Sequence, residues 1–130
     1  MGEEADRDVV ELASTLFGLA RSGSTRRLAA YIDAGVAPDL ANQNGDSLVM
    51  LAAYHGHAET VAALLERGAD PDKRNDRGQT PLAGAVFKAE IEVIRVLVAA
   101  GADPGAGHPS ALATAAMFER QDLSQLLRGS

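Results

Sequence analysis

The sequence has no cysteine and no tryptophan, and aromatic residues make up only 4% of its 130 residues. The absence of cysteine excludes disulfides, thiolate zinc sites and a cysteine nucleophile. The scarcity of aromatics leaves little from which to build a base-stacking platform for single-stranded nucleic acid. A net charge of −6 also argues against non-specific nucleic-acid binding, which needs a cationic surface. We therefore expect no nucleic-acid partner.

Long hydrophobic runs and a secretory signal are missing too. No apolar stretch approaches the roughly 18 residues of a membrane span, and the acidic start MGEEADRD lacks the basic-then-apolar layout of a signal peptide. We therefore predict a cytoplasmic protein with no membrane contact. The start at Met1 and the finish at Leu126-Leu127-Arg128 favour a small complete protein. Ten arginines against two lysines, with 25 alanines, suggest a GC-rich coding sequence and a bacterial source.

A repeat of 33 residues is the main positive signal. Glycines, prolines and apolar residues share this interval: Gly35, Gly68 and Gly101; Pro38, Pro71 and Pro104; Tyr31, Leu64 and Leu97. A fourth copy follows a three-residue deletion, because Ser110-Ala111-Leu112 matches Thr80-Pro81-Leu82. The 46% of hydrophobic residues suffice for one folded domain of this length. We predict a single domain over residues 1–130, with repeats at about 9–41, 42–74, 75–107 and 108–130, the last one shortened.

Each repeat carries the local signals of two short helices and a turn. Ser47 is expected as the N-cap of a helix to His55, Gly56 breaks that helix, and residues 58–67 form a second one with a buried face. Asn44-Gly45 is typical of a turn at the tip of a hairpin-like loop. Helices of about ten residues are marginal alone, so the pairs must stack along a shared apolar seam. We therefore predict an all-α solenoid of stacked helix-turn-helix pairs joined by β-hairpin-like loops.

The two ends of the predicted stack carry polar residues where the middle repeats do not. Arg27 stands at the position of Thr60 and Val93, and Arg128 stands at the position of Leu65 and Val98. Solenoids need polar faces of this kind on their terminal repeats. Because polar ends disfavour end-to-end stacking of copies, we expect a monomer.

The repeat also carries a family motif. The run Gly78-Gln79-Thr80-Pro81-Leu82, followed by Ala85 and by Gly101-Ala102-Asp103, resembles the ankyrin repeat, and the period agrees. The resemblance covers roughly residues 9 to 128. The histidine that the family usually places after Thr-Pro-Leu is Met50 in one repeat and Ala83 in another. The resemblance implies a protein-protein interaction module, such as an adaptor or an inhibitor, that binds a partner protein.

The resemblance further implies which residues contact the partner. In ankyrin-like proteins, partners touch the hairpin tips and the exposed positions of the first helices, which together line a concave face. Carried over by position, the tip residues are Gln43, Asn44, Asp46, Arg74, Asp76, Arg77 and Gln79. The first-helix residues are Arg21, Tyr54, His55, Phe87, Lys88 and Phe118. The three aromatics among them are typical binding anchors, although each could instead pack sideways against the next repeat as core.

Charge is distributed unevenly over the tips. Residues 73–77 carry three cations and one carboxylate, residues 39–46 carry two carboxylates and no cation, and residues 105–109 carry no formal charge. Complementary charge guides encounter and register between proteins. We hypothesise that a partner is oriented across this gradient, the alternative being an ordinary solvated surface of mixed sign.

Two histidines raise the alternative of a metal- or small-molecule-binding protein. His55, His57 and Glu59 are residue types that bind zinc. However, Gly56-His57-Ala58-Glu59 matches the turn between ankyrin helices, in which that histidine normally makes hydrogen bonds. The sequence also offers no serine or threonine nucleophile with a recognisable base, and no phosphate-binding glycine loop. We therefore expect no metal site, no cofactor and no enzymatic activity.

Overall fold

The fold is described by a computed structural model that covers residues 2–129, with the side chains of residues 7–129. These residues form eight helices and no extended strand: α1 (Gly2–Ser22), α2 (Thr25–Asp33), α3 (Leu48–Tyr54), α4 (Ala58–Glu66), α5 (Pro81–Phe87), α6 (Ile91–Ala99), α7 (Ala111–Met117) and α8 (Gln121–Leu127). Helices α1, α3, α5 and α7 contact one another in series, and α2, α4, α6 and α8 do the same. The predicted all-α solenoid of stacked helix pairs is confirmed.

The first helix of each of the last three pairs starts with a hydroxyl cap. The side-chain oxygens of Ser47 and Thr80 accept hydrogen bonds from the backbone N–H groups three residues later, at 3.0 and 3.2 Å. Ser110 does the same for Ala113 at 3.0 Å. Each cap satisfies one of the amide groups that a helix start leaves without a partner. The predicted N-cap at Ser47 is therefore confirmed.

The turn between the two helices of a pair needs a left-handed residue. Gly23 and Gly56 occupy this position with φ of +73° and +79°. In the next two turns the equivalent residues are Ala89 and Glu119, and both keep a positive φ, 56° and 55°. A side chain in this region costs roughly 1–2 kcal/mol, so these two turns are held in place by the packing of the helices around them.

The core is a seam that runs through all the pairs. Ala52, Ala85 and Ala115 stand at equivalent positions of α3, α5 and α7, and each is completely buried. Because alanine is small, it allows the first helices to approach closely. Val61 and Ile94 are completely buried between the second helices, whereas Arg27 and Arg128 at the two ends are exposed. The predicted polar ends of the stack are present.

Candidate protein-binding face

The hairpin tip at residues 39–46, which we call the second tip, and the one at residues 73–79, which we call the third tip, are each built around an asparagine at an equivalent position. The Oδ1 atom of Asn42 accepts from the backbone N–H groups of Asn44 and Asp46, at 2.9 and 3.0 Å. Asn75 repeats this arrangement with Arg77 and Gln79, at 3.0 and 2.9 Å. An asparagine side chain that bonds nearby backbone in this way stabilises a turn. The predicted turn at Asn44-Gly45 is confirmed, since Gly45 adopts a φ of +78°.

Neighbouring tips are also tied to each other. The Nδ2 group of Asn75 donates to Oδ1 of Asp46 at 2.9 Å, and the backbone N–H of His108 donates to the carbonyl of Gly78 at 3.0 Å. The tips therefore form a continuous ridge with fixed spacing. Asp46, which the sequence suggested as a partner contact, is half-buried and uses one carboxylate oxygen within this ridge.

The aromatic residues of the first helices lie at the surface. Tyr54, Phe87 and Phe118 are 40%, 57% and 50% exposed, so they are not core residues. Of the alternative from the sequence, only sideways packing against the next repeat is present, between Phe87 and Phe118. The rings of Phe87 and Phe118 meet edge to face with centroids 5.7 Å apart. The ammonium group of Lys88 lies over the ring of Tyr54, 5.1 Å from its centroid, within the range of a cation–π interaction.

Together with side chains from the helix starts, these rings border a groove of about 350 Å³ on the first-helix face of the last three pairs. We call it the aromatic groove and define it by Met50, Tyr54, Gly84, Phe87, Met117 and Phe118. Gln79 of the third tip and Pro109 of the last loop close its side near the tips. The groove therefore joins the two kinds of position, tip and first helix, that the sequence singled out.

The groove is open because the residues at its base are small. Gly84 lies in the middle of α5, and a Cβ atom there would lie 3.6 Å from Cδ1 of Tyr54 and 3.8 Å from Sδ of Met50. Ala83, which also lines the groove, stands where the family usually has a histidine. Sequence reasoning did not assign Met50, Ala83 or Gly84 to the site. For Met50 and Ala83, the signal was the departure from the family histidine at two successive repeats.

The remaining predicted residues lie in three other places. Arg21, Gln43 and Asn44 border a second groove of about 430 Å³ beside Val10 and Phe17 of α1. Arg74, Asp76 and Arg77 are exposed on the third tip, and His55 is exposed at the end of α3. The predicted set is therefore divided between the aromatic groove, the ridge of tips, the groove at α1 and the end of α3.

The cations of the third tip form no ion pair with the side chains of residues 7–129. Ion pairs among residues 7–129 join Arg67 to Asp33, Arg95 to Glu92 and Arg120 to Asp122. In the same part of the chain, the side chains of Lys73, Arg74 and Arg77 have no hydrogen bond or ion pair. Their charge is therefore available to a partner.

The two histidines have separate surroundings. The Nε2–H group of His57 donates to the carbonyl of Arg21 at 2.7 Å, which links two successive inter-helix turns, as the predicted structural role of this histidine requires. The ring of His55 lies edge-on to Tyr54 with centroids 5.8 Å apart. Over the described part of the chain, histidines and carboxylates form no cluster of three or more that could hold a metal ion.

None of the helices within residues 2–129 is both long enough and apolar enough to cross a bilayer.

Comparison with known proteins agrees with the repeat pattern. A family model described as ankyrin repeats in three copies matches residues 16–108. A curated protein of Pseudomonas aeruginosa, named as an ankyrin repeat protein, is 49% identical over 57 residues. The aligned segment covers 44% of this chain and 33% of that protein, so the chain matches about one third of its relative's length. Ankyrin repeats are generally protein-protein interaction modules and are typically not enzymes.

Proposed function

We propose that this chain, which belongs to the ankyrin repeat family, is a binding module that holds a partner protein on its hairpin tips and first-helix face. It acts as an adaptor or an inhibitor and catalyses no reaction itself. A bacterial source, a cytoplasmic location and a monomeric state accompany this proposal as predictions from the sequence. The proposed contacts are the residues that the family pattern indicated. Asp46 contributes by holding the neighbouring tips together through its hydrogen bond with Asn75.

The exposed apolar side chains of the aromatic groove carry this proposal. Phe87, Met117 and Phe118 are each at least half exposed and adjoin one another around the groove. A contiguous exposed apolar patch of this kind is typical of an interaction site. Large aromatics are also the side chains that most often supply the binding energy of an interface. A partner that covered them would remove this apolar surface from water, which lowers the free energy of the complex.

The rigidity of the scaffold favours the same function. The capped helix starts and the hydrogen bonds between tips hold the groove in one shape before any partner arrives. Ordering of loops and side chains is one of the main costs of association. A surface fixed in advance avoids much of that cost, which suits a module whose task is binding.

Affinity capture tests this proposal. The whole chain would be immobilised and exposed to an extract of the source cells, beside the double variant Tyr54→Ala/Phe87→Ala. The matched control is Val9→Ala/Leu12→Ala, which also removes two exposed apolar side chains but lies on α1, outside the aromatic groove. We expect quantitative mass spectrometry to find a protein that the wild type and the control retain and the groove variant loses. Equal recovery by all three chains would contradict the proposal.

A further inference from the structure

We infer that the aromatic groove binds one apolar side chain of a partner segment that carries acidic residues next to this anchor. The inference rests on the proposed function and specifies it by naming the partner's chemistry. It comes from two neighbouring features: an apolar groove with a small floor, and a rim whose cations form no ion pair within the described residues.

The shape of the groove selects for a side chain rather than a broad surface. Its floor at Gly84 lacks a side chain, and its walls are formed by Tyr54 on one side and Phe118 on the other. A volume of about 350 Å³ lies at the lower end of the roughly 300–1,000 Å³ typical of binding pockets. An aromatic or aliphatic residue on an exposed segment fits such a site, since it buries its apolar surface against Phe87 and Met117.

The rim of the groove is cationic. Lys88 lies against Tyr54, which is itself a wall of the groove. Arg77 precedes by two residues Gln79, which lines the side near the tips, and Lys73 and Arg74 belong to the same loop. These four cations contrast with a chain whose net charge is −6.

Two exposed carboxylates also lie near this rim, whereas Asp46, Asp72 and Glu90, which are close to the same cations, are half-buried. Asp76 lies between Arg74 and Arg77 on the tip, and Glu119 follows Phe118 at the end of α7. Arg120, the next residue, is already paired with Asp122. Residues 73–77 of the third tip therefore keep an excess of positive charge, with three cations against one carboxylate, which attracts acidic residues and repels basic ones.

An acidic peptide is favoured over a nucleic acid, although both are anionic. Single-stranded nucleic acids bind along extended cationic grooves with several stacking rings. Here the cations lie at the third tip and, as Lys88, just after the end of α5, rather than along the aromatic groove. The neighbouring tip at residues 39–46 carries two carboxylates and no cation. A long polyanion would meet repulsion on the second tip, whereas a short acidic stretch beside an anchor would not.

Selection from a random peptide library displayed on phage, against the immobilised full chain, tests the inference directly. We expect enriched peptides to share a Phe, Leu, Ile, Met or Trp with Asp or Glu close to it. A selected peptide, synthesised with a fluorescent label, would then be titrated with the chain and its variants at low and high salt. Enrichment of neutral or basic peptides would overturn the inference, as would no enrichment at all.

Two sets of variants separate the two halves of the site. Lys73→Gln/Arg74→Gln/Arg77→Gln is expected to weaken binding about tenfold at low salt and to reduce its salt dependence. Its matched control, Arg26→Gln/Arg27→Gln/Arg128→Gln, removes the same charge from exposed residues of α2 and the C-terminal end, and should change affinity by no more than about twofold. Equal effects of the two triple variants would contradict a local cationic rim.

Gly84→Leu tests the anchor pocket, because its side chain would fill the groove floor. We expect it to weaken peptide binding at least about tenfold. Gly84→Ala, whose Cβ meets only ordinary contacts, would show that a side chain at this position leaves the fold intact. Undiminished binding by Gly84→Leu, or tighter binding of a single-stranded oligonucleotide than of the selected peptide, would overturn the inference. If affinity capture from cells still finds a protein that the groove variant loses, the proposed function stands even though this inference fails.

Discussion

Two of the inter-helix turns have a residue other than glycine at a position with positive φ, where glycine would be more stable. Ala89 has a φ of 56° at a position where Gly23 and Gly56 serve the preceding pairs. We predict that Ala89→Gly raises the free energy of unfolding by about 0.5–1 kcal/mol, since the left-handed strain removed exceeds the extra entropy of glycine in the unfolded chain. Urea unfolding followed by circular dichroism measures this change.

The control for this substitution is the same chemical change in ordinary helix. Ala30→Gly lies at an exposed position within α2 and should lower the free energy of unfolding by about 1 kcal/mol. The two alanine-to-glycine substitutions should therefore have opposite signs. A loss of stability in both would show that the turn at Ala89 is not strained.

The ion pair at the start of α8 lowers the pKa of Asp122, which a titration can measure. The Arg120 guanidinium donates two hydrogen bonds to the Asp122 carboxylate, at 3.0 and 2.9 Å. These bonds lower the pKa of Asp122 from 3.8 to about 2. Because the folded pKa lies below the unfolded one, the pair stabilises the fold above the unfolded pKa, and this contribution is lost as pH falls from about 4 to 2. Both side chains are exposed, so the effect on stability is small.

An NMR titration of the Asp122 carboxyl carbon checks this assignment. We expect Arg120→Gln to return the pKa of Asp122 towards its ordinary value, because the largest cause of the shift is the hydrogen bond from Arg120. The control is Arg95→Gln, which removes an exposed arginine whose ion pair is with Glu92. If Asp122 titrates identically with and without Arg120, the ion pair does not form in solution.

Local sequence was sufficient to predict the conformation of residues that depend only on their neighbours in the chain. Ser47, Asn44 and Gly45 could be assigned because caps and turns are decided over three or four residues. The exposure of Tyr54, Phe87 and Phe118 could not be decided in this way. It depends on the size of the side chains that the next helix presents, and there Gly84 is too small to cover the ring of Tyr54.

Between elements, a ladder of aspartates links the loops of successive repeats. The Asp39 carboxylate accepts from the backbone N–H of Asp70 at 2.7 Å, and Asp72 accepts from that of Asp103 at 2.9 Å. The 33-residue period relates Asp39 to Asp72 and so makes them equivalent positions. It did not show that each contacts the following repeat, because a period identifies equivalent places and not the neighbours that they touch.

Removing one step of this ladder should weaken the interface between two repeats. We predict that Asp72→Ala lowers the free energy of unfolding by about 1 kcal/mol, since it leaves the amide of Asp103 without its protein acceptor. Asp72→Asn keeps an acceptor oxygen and should cost less. Asp76→Ala, at an exposed position with the same change in charge, should stay within about 0.5 kcal/mol of wild type. Thermal and urea unfolding distinguish the three, and equal losses would remove the hydrogen bond as the cause.

On the scale of the whole molecule, the sequence predicts the fold because the same short pattern is repeated. A stack in which each pair contacts only its neighbours is specified once the pairs and their order are known. What the repeat could not predict is the first helix. Helix α1 spans 21 residues, whereas α3, α5 and α7 span seven each. Its early part has no equivalent in the later repeats, so periodicity carries no information about it.

The same linear architecture predicts that stability depends on position along the stack. Leu97 and Leu127 occupy equivalent places in α6 and α8, and both are buried. Helix α6 contacts α4 on one side and α8 on the other, whereas α8 contacts second helices on one side alone. We predict that Leu97→Ala lowers the protection of backbone amides throughout the stack, with a cost of about 2–5 kcal/mol.

Leu127→Ala should act locally instead. Native-state hydrogen exchange is expected to show faster exchange in α7 and α8 and little change in α3 to α5, because the terminal pair can open while the remaining pairs stay stacked. The two substitutions remove the same atoms from equivalent sites, so packing chemistry alone cannot separate them. A uniform loss of protection in both variants would mean that the described helices unfold as one cooperative unit, and that the contacts between neighbouring pairs do not act independently.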